Sequence, residues 1–203
     1  AAIRQRIESH GLKVTGLHWL LAPYAGLSIT EPAAREETRA VLCRLVTLCG
    51  LLGGRVLVHG SPAQRRPAQG RSPSETEAAL AAFFAPIATA AEQAGVVYCI
   101  EPLSPAETPV ITTLEAALAV VDAVASPAFC TMIDTSAAGQ SESLPVPELL
   151  ARFLGDPRVA HIQLNDTNRG APGMGSDPIT AIVRAIRRAG WTHPIAVKPF
   201  RTV

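Results

Sequence analysis

The feature of this sequence that most limits its fold is a strict alternation of short apolar runs and helix-forming segments. Continuous apolar runs, typical of strands buried on both faces, occupy residues 12–22, 55–59, 96–100, 129–133, 159–164 and 195–197. Segments that predict helices occupy residues 1–11, 33–52, 74–94, 112–125, 145–154 and 178–189. Such alternation predicts parallel strands joined by right-handed crossovers, and therefore an α/β fold.

Polar side chains stand where most of the predicted strands end. The five residues at or just beyond these carboxyl ends are His59, Glu101, Asp134, Gln163 and Lys198. In a (β/α)8 TIM barrel such ends meet at one mouth, whereas an open doubly wound sheet spreads them along a line. Neither GxGxxG nor GxxxxGK[ST] follows a strand, which further weakens the open-sheet alternative. We therefore expect residues 1–203 to form a single TIM-barrel domain with six strands.

Charge and composition exclude several classes of partner. The 203 residues include 18 basic and 17 acidic side chains with no basic run, so nothing favours nucleic acid or a membrane surface as partner. No apolar stretch has the length of a membrane span or of a signal-peptide core. The four cysteines show no CxxC spacing and are expected to be reduced core residues. These features predict a cytoplasmic protein.

The stretch from residue 159 to residue 175, VAHIQLNDTNRGAPGMG, combines a strand with a loop suited to a small-molecule site. His161 and Gln163 are two residues apart and therefore share one face of the strand. The loop carries Arg169 and closely spaced glycines, a composition typical of backbone that turns sharply beside a ligand.

Four segments resemble the sugar phosphate isomerase/epimerase group of the xylose isomerase-like TIM barrels, which includes hydroxypyruvate isomerases and ketose 3-epimerases. The segments are EPLSPAET at 101–108, MID at 132–134, HIQLNDTNRGAPGMG at 161–175 and AVKPF at 196–200. The resemblance covers nearly the whole chain. It implies a (β/α)8 barrel that lacks its first two strands here, and exposed edge strands of this kind favour a homo-oligomer.

The resemblance also implies a set of site residues. Glu101, Asp134, Gln163 and Lys198 match the family's four metal positions, which hold Glu, Asp, His and Glu around Mn²⁺ or Mg²⁺. In the family this ion stabilises the enediolate that forms when a proton is removed next to a carbonyl. By the same resemblance, Glu101 is a ligand and acid/base, Asp134 a ligand and Gln163 a weak ligand. Glu107 and Arg169 match positions that contact substrate, and His161 matches a histidine that does not bind the metal. We count His59 and His161 with Glu107 and Arg169 as candidate substrate-binding residues.

This sequence departs from the family at three of these positions. Gln163 and Lys198 replace the third and fourth ligands, His and Glu, and Ala137 replaces a histidine that often contacts substrate. A protonated lysine cannot bind a metal, so we expect Lys198 to form an ion-pair cluster with the two carboxylates in the metal's place. Metal binding should then be weakened or lost. A desolvated lysine acting as base or nucleophile is the chemical alternative for Lys198.

Several other residues carry two interpretations. His59 and His18 either line the pocket or are satisfied core residues, and Trp19 either packs against a sugar or belongs to the core. The loop at residues 63–74 carries three arginines, Arg65, Arg66 and Arg71. Their side chains either bind an acidic group of a substrate or are solvated.

Two functions follow for a protein whose partner is a small carbohydrate. The first is an isomerase or epimerase whose ancestral reaction is metal-assisted proton transfer on a ketose or small hydroxy-carbonyl compound. The second is a non-catalytic relative that binds a sugar or a sugar acid. A DNA-repair nuclease is a distant third, because its three-metal site requires more histidines and carboxylates than remain here.

Overall fold

The computed structural model describes residues 2–199 and contains one parallel sheet of six strands, whose spatial order follows the chain. The strands are β1 Gly16–His18, β2 Val56–His59, β3 Val97–Ile100, β4 Phe129–Asp134, β5 Val159–Leu164 and β6 Ile195–Val197. The sheet curls into a half-barrel, and β1 and β6 are its two edges within the described residues. The structure thus confirms the α/β fold and the partial TIM barrel.

Seven α-helices within residues 2–199 accompany the strands. They are α1 Ala2–Ser9, α2 Arg35–Leu52, α3 Pro73–Ala94, α4 Leu114–Val124, α5 Thr135–Ser141, α6 Val146–Phe153 and α7 Ile179–Arg188. Two short 3₁₀ turns, Pro32–Ala34 and Pro62–Arg65, interrupt the loops after β1 and β2. Among the described residues, the helices are all too short or too polar to span a bilayer.

The predicted strand at residues 12–22 is the largest error in the predicted boundaries. Only the three residues of β1 form a strand, which ends before Trp19, where the backbone adopts a left-handed conformation with φ of 57°. Leu20 and Leu21 are buried in the turn that follows, so their apolar character reflects core packing and not a strand. The other predicted strands and helices agree with the structure to within two residues, while α5 was not predicted.

The two faces of the sheet carry different cores. The outer face packs against helices through an aromatic cluster in which Phe84 of α3 contacts Tyr98 of β3 and Phe129 of β4. The inner face carries a smaller apolar layer that includes Val58 and Met132. Side chains alternate between the two faces along each strand, so the residue that follows an inward-facing one points toward the helices.

An irregularity between β4 and β5 sets which residues of β5 face inward. Thr131 pairs with Val159, but the next residue, Met132, pairs with His161, so β5 carries an extra residue at this point. Asp134 then pairs with Gln163. His161 and Gln163 therefore share the inner face, which confirms the prediction from their spacing.

Arg65 fastens the ends of β2 and β3 and is fully buried. Its Nη2 donates to the carbonyl oxygens of His59 and Gly60, both at 2.6 Å, and its Nη1 donates to the carbonyl oxygen of Glu101 at 2.7 Å. The expectation that this arginine is solvated on a loop is wrong. The 3₁₀ turn directs its side chain beneath the strand ends, where it donates to the carbonyl groups of Gly60 and Glu101 and gives the His59 carbonyl a second donor beside the Glu101 N–H.

His161 is a buried inward-facing histidine with only 7% of its surface exposed. Burial, followed by the positive charge of Lys198 and by His18, lowers its pKa from 6.5 to about 4. The imidazole is therefore neutral at physiological pH, and it lies as an uncharged side chain on the inner face of the half-barrel.

Replacing Arg65 with methionine should destabilise the fold by about 3 kcal/mol, because the buried carbonyl groups of Gly60 and Glu101 lose the guanidinium donor and that of His59 loses one of two donors. Urea denaturation at neutral pH measures this loss. The matched control is Arg66→Met, which alters the exposed neighbouring arginine and should change stability by less than about 0.5 kcal/mol. Equal effects of the two substitutions would contradict the role given to Arg65.

The lowered pKa of His161 predicts a specific pH dependence of stability. Below pH 6.5 the unfolded chain takes up a proton at His161 that the folded protein excludes until about pH 4, so stability falls as the pH falls through this window. Between pH 7 and pH 5 this costs the wild type about 2 kcal/mol that His161→Gln does not lose. Denaturation at both pH values tests this, and parallel losses in the two proteins would count against it.

Candidate functional site

Three charged side chains meet at the carboxyl ends of the strands. Lys198, just after β6, places its Nζ 2.6 Å from Glu101 Oε1 and 3.2 Å from Asp134 Oδ2. The lysine side chain is 10% exposed and each carboxylate side chain 3%. Curling of the sheet brings these residues together although Glu101 and Lys198 are 97 positions apart. They form the ion-pair cluster expected from the sequence.

The backbone around Glu101 leaves room for its carboxylate. Gly60 follows β2, and a Cβ at this position would lie 2.5 Å from Glu101 Oε2. Any larger residue would displace the carboxylate. Gly60 therefore leaves space for the Glu101 side chain, and Arg65 holds the backbone carbonyl of Glu101 by a hydrogen bond.

Asp134 is held by the amino terminus of α5 and by a buried amide. Its Oδ1 accepts hydrogen bonds from the backbone N–H groups of Ser136 and Ala137, so Asp134 caps the helix. Asn165 Nδ2 donates to both carboxylate oxygens, at 2.9 and 3.0 Å. α5 was missed in the sequence because its seven residues show no apolar periodicity. Asn165, also missed, had only its place directly after β5 as a signal.

The protonation of the cluster follows from its burial and charges. Burial alone would lower the pKa of Lys198, but the attraction of Glu101 and Asp134 outweighs it and the pKa is raised. Lys198 is therefore a permanent ammonium at neutral pH. Burial raises the pKa of Glu101, with Asp134 acting in the same direction and the ammonium opposing it. A carboxylate of raised proton affinity beside an ammonium is suited to acid–base chemistry.

Gln163 lies opposite Asp134 in the register of β4 and β5 and is 1% exposed. Its Oε1 has no hydrogen-bond partner among residues 2–199. The divalent ion that the family resemblance implies does not fit this set of residues, because the ammonium of Lys198 already lies within hydrogen-bond or ion-pair distance of both carboxylates. Nor do residues 2–199 contain any group of three His, Cys, Asp or Glu side chains arranged to hold a metal.

A second ion pair stands at the rim. Arg169 Nη1 lies 3.1 Å from Glu107 Oε1, and Glu107 Oε2 accepts a hydrogen bond of 2.9 Å from the Ser104 hydroxyl. About one third of the arginine side chain and one fifth of the glutamate side chain are exposed. Both residues border the same cavity as the charge cluster, so the structure brings these two predicted site residues to the mouth.

The cavity at the mouth is small, and its rim is strained. Its volume is about 20 Å³, roughly the space for one water molecule. Three residues that border it have positive φ values without being glycine, namely Trp19 at 57°, Ser61 at 46° and Arg169 at 67°. Backbone strain of this kind concentrates at ligand sites. A ligand of sugar size requires the rim to move, and the surface of Trp19 on this rim is 51% exposed.

Asp166 organises the loop that carries Arg169. It is fully buried; its Oδ2 accepts hydrogen bonds from the N–H groups of Gly173 and Met174, and its Oδ1 accepts one from the N–H of Asp177. The loop composition predicted the turns but not this central acceptor, because the sequence offers several acidic and amide residues of similar character in the same stretch.

His59 and His18 lie on opposite faces of the sheet. His59, predicted as a substrate contact, is fully buried on the outer face, where its ring contacts Phe84 and hydrogen-bonds the Tyr98 hydroxyl. That prediction is wrong, because the inward positions of β2 are Val56 and Val58. His18 faces inward, and burial together with the charge of Lys198 lowers its pKa.

A larger cavity of about 880 Å³ opens at the opposite end of the half-barrel, between the amino ends of the strands. Residues that border it include Arg55, Asp156, His161 and Trp191. Glu101, Asp134 and Lys198 do not border it. In TIM barrels chemistry takes place at the carboxyl ends of the strands, so the small mouth is the candidate site.

Known structures share this architecture. The D-psicose 3-epimerase of Clostridium cellulolyticum H10 superposes with a TM-score of 0.83 at 20% identity, covering 100% of this chain and 69% of that one. An L-ribulose 3-epimerase gives a TM-score of 0.84 at 22% identity, covering 99% and 66%. The 3-keto-D-glucoside 4-epimerase of E. coli gives 0.83 at 18% identity, covering 99% and 77%. Identities this low establish the shared fold and nothing finer.

The sequence also matches a protein family over nearly its whole length. The family described as the xylose isomerase-like TIM barrel matches residues 1–202. The parallel half-barrel sheet agrees with this match. The chain therefore belongs to the xylose isomerase-like TIM-barrel family.

Proposed function

We propose that this protein binds a small carbohydrate, a ketose or a sugar acid, at the carboxyl-end mouth of its sheet and does so without a divalent metal ion. The observation that carries the proposal is the ammonium of Lys198, buried between Glu101 and Asp134. It supplies a fixed positive charge where metal-dependent relatives would need an ion.

The chemistry of the mouth suits a polyhydroxylated ligand. Carboxylate oxygens of Glu101 and Asp134 accept hydrogen bonds from sugar hydroxyls, while Lys198 and Arg169 donate to carbonyl or carboxylate oxygens. The exposed ring of Trp19 offers an apolar surface for the face of a sugar. Structural relatives named for D-psicose and L-ribulose epimerisation support a ketose as the first ligand to test.

A second candidate function is isomerisation or epimerisation by the same residues. Its support is the pairing of Glu101 with Lys198 at 2.6 Å and the raised pKa of Glu101. Glu101 would remove the proton from the carbon next to a carbonyl, and the electron pair of the broken C–H bond would pass to the carbonyl oxygen beside the Lys198 ammonium. The protonated lysine cannot act as the second base, so Glu101 is the base that we assign to this reaction.

Ligand-observed NMR with D-tagatose, D-fructose, D-allulose and L-ribulose, and with the corresponding sugar acids, tests the binding proposal. At least one compound should bind, and excess chelator should leave its affinity unchanged because the positive charge belongs to the protein. Arg169→Ala should weaken binding about tenfold through loss of a charged hydrogen bond. The control Arg44→Ala, at an exposed position on α2, should not. Binding that disappears with chelator would contradict the metal-free proposal.

Deuterium incorporation separates the enzyme from the binding protein. A ketose bound in D₂O should gain deuterium at the carbon next to its carbonyl if Glu101 exchanges a proton, and Glu101→Gln should abolish the gain because an amide is not a base at neutral pH. The control is Glu148→Gln, on α6 and away from the mouth. Binding without any exchange by the wild type would exclude the second candidate and retain the first.

A further inference from the structure

Three arginines gather between α2 and the start of α3, away from the mouth. Arg35 and Arg39 are four positions apart on α2, and their Cζ atoms lie 5.4 and 5.7 Å from the centroid of the Phe83 ring. Phe83 belongs to α3 and is fully buried, so its ring orients both guanidinium groups by cation–π contact. Arg71, on the loop just before α3, borders a small opening together with Arg35. None of the three arginines borders the mouth cavity.

No carboxylate pairs with this cluster within residues 2–199, where none of the three guanidinium groups forms an ion pair. Glu36 and Glu37, in the first turn of α2, are exposed. Glu75, which feels the charge of the Arg71 loop, is engaged in the cap of α3: its Oε2 accepts hydrogen bonds from the N–H and the hydroxyl of Ser72, both at 2.8 Å. The cluster therefore carries three positive charges without a paired counter-charge.

The cluster is also rich in donors and poor in acceptors. The Nε atoms of Arg35 and Arg39 are shielded from solvent and have no hydrogen-bond partner among residues 2–199. Arg35 Nη2 donates to the carbonyl oxygen of Ala79 at 3.2 Å. Burial, followed by the charges of Arg39 and Arg71, lowers the pKa of Arg35, so the three charges act on one another. An anion among them would relieve this repulsion and accept the spare hydrogen bonds.

We infer that Arg35, Arg39 and Arg71 form a binding site for a phosphate group, that of the free ion or of a small phosphate ester. The planar fork of donors on a guanidinium group matches phosphate oxygens. The opening beside Arg35 and Arg71 has a volume of about 10 Å³, too little for a phosphate ion, so the ion lies at its outer edge next to the exposed Arg71. α2 begins at Arg35 and α3 two residues after Arg71, so both helices add the positive ends of their dipoles. The site is separate from the mouth and does not depend on carbohydrate binding there.

The experiment measures thermal unfolding of the full chain across a series of inorganic phosphate concentrations, in chloride buffer of constant ionic strength at neutral pH. Phosphate should raise the unfolding temperature of the wild type saturably, as expected for a ligand that binds the folded state. Arg39→Gln and Arg71→Gln should each weaken phosphate binding about tenfold, because a charged hydrogen bond is lost. The matched control is Arg44→Gln, which alters an exposed arginine of α2 outside the cluster and should leave the affinity unchanged.

Two further arms identify the source of the phosphate and its place. Glycerol 3-phosphate that binds about tenfold tighter than inorganic phosphate would assign the site to a small phosphate ester, whereas equal affinities would assign it to the free ion. Arg169→Ala removes a cation of the mouth at which phosphate could otherwise bind, and it should leave the affinity for inorganic phosphate unchanged.

Two results would overturn the inference. A rise in unfolding temperature that does not saturate and is the same in Arg71→Gln as in the wild type would be the general effect of a salt excluded from the protein surface. Saturable binding that Arg169→Ala abolishes would place the phosphate at the mouth. Should Arg39→Gln fail to fold because its contact with Phe83 is lost, Arg71→Gln decides, since its side chain is exposed on a loop.

Discussion

The contact between Lys198 and the carboxylates of Glu101 and Asp134 is the constraint around which the carboxyl end of this molecule is built. Three charges that are at most 10% exposed are tolerated only when each is paired and oriented, since an unpaired buried charge costs several kcal/mol. The surrounding structure supplies that orientation. Glycine at position 60 leaves space for one carboxylate, and the buried amide of Asn165 holds the other.

The same contact limits the chemistry available at the mouth. An ammonium carries one positive charge and donates hydrogen bonds, whereas a divalent ion accepts several oxygen ligands at once and polarises them more strongly. A site built on Lys198 can therefore hold an anionic or carbonyl oxygen, but it cannot chelate two neighbouring sugar oxygens as an ion does. This difference is the physical basis for placing carbohydrate binding ahead of isomerisation.

The sequence predicted some parts of the site and missed others for identifiable reasons. Strand ends could be located from the apolar runs, and the family resemblance singled out Glu101, Asp134 and Lys198 from among 35 charged residues. The two interpretations of Arg65, a substrate contact or a solvated side chain, both left it outside the core, and nothing local reveals that its guanidinium contacts carbonyl groups at the ends of two strands. Asp166 was missed for a similar reason, because its three hydrogen bonds come from residues seven or more positions away.

The sequence by itself determined the α/β alternation, the six strands, and that His161 and Gln163 share one face of their strand, because these depend on the period of two along a strand and on the spacing of apolar runs. Only the tertiary structure decided that His59 faces the helices and that Arg65 is buried. Each of these depends on the curvature of the sheet or on which face a strand turns to the core. Those properties arise from packing between distant segments, which the local sequence does not encode.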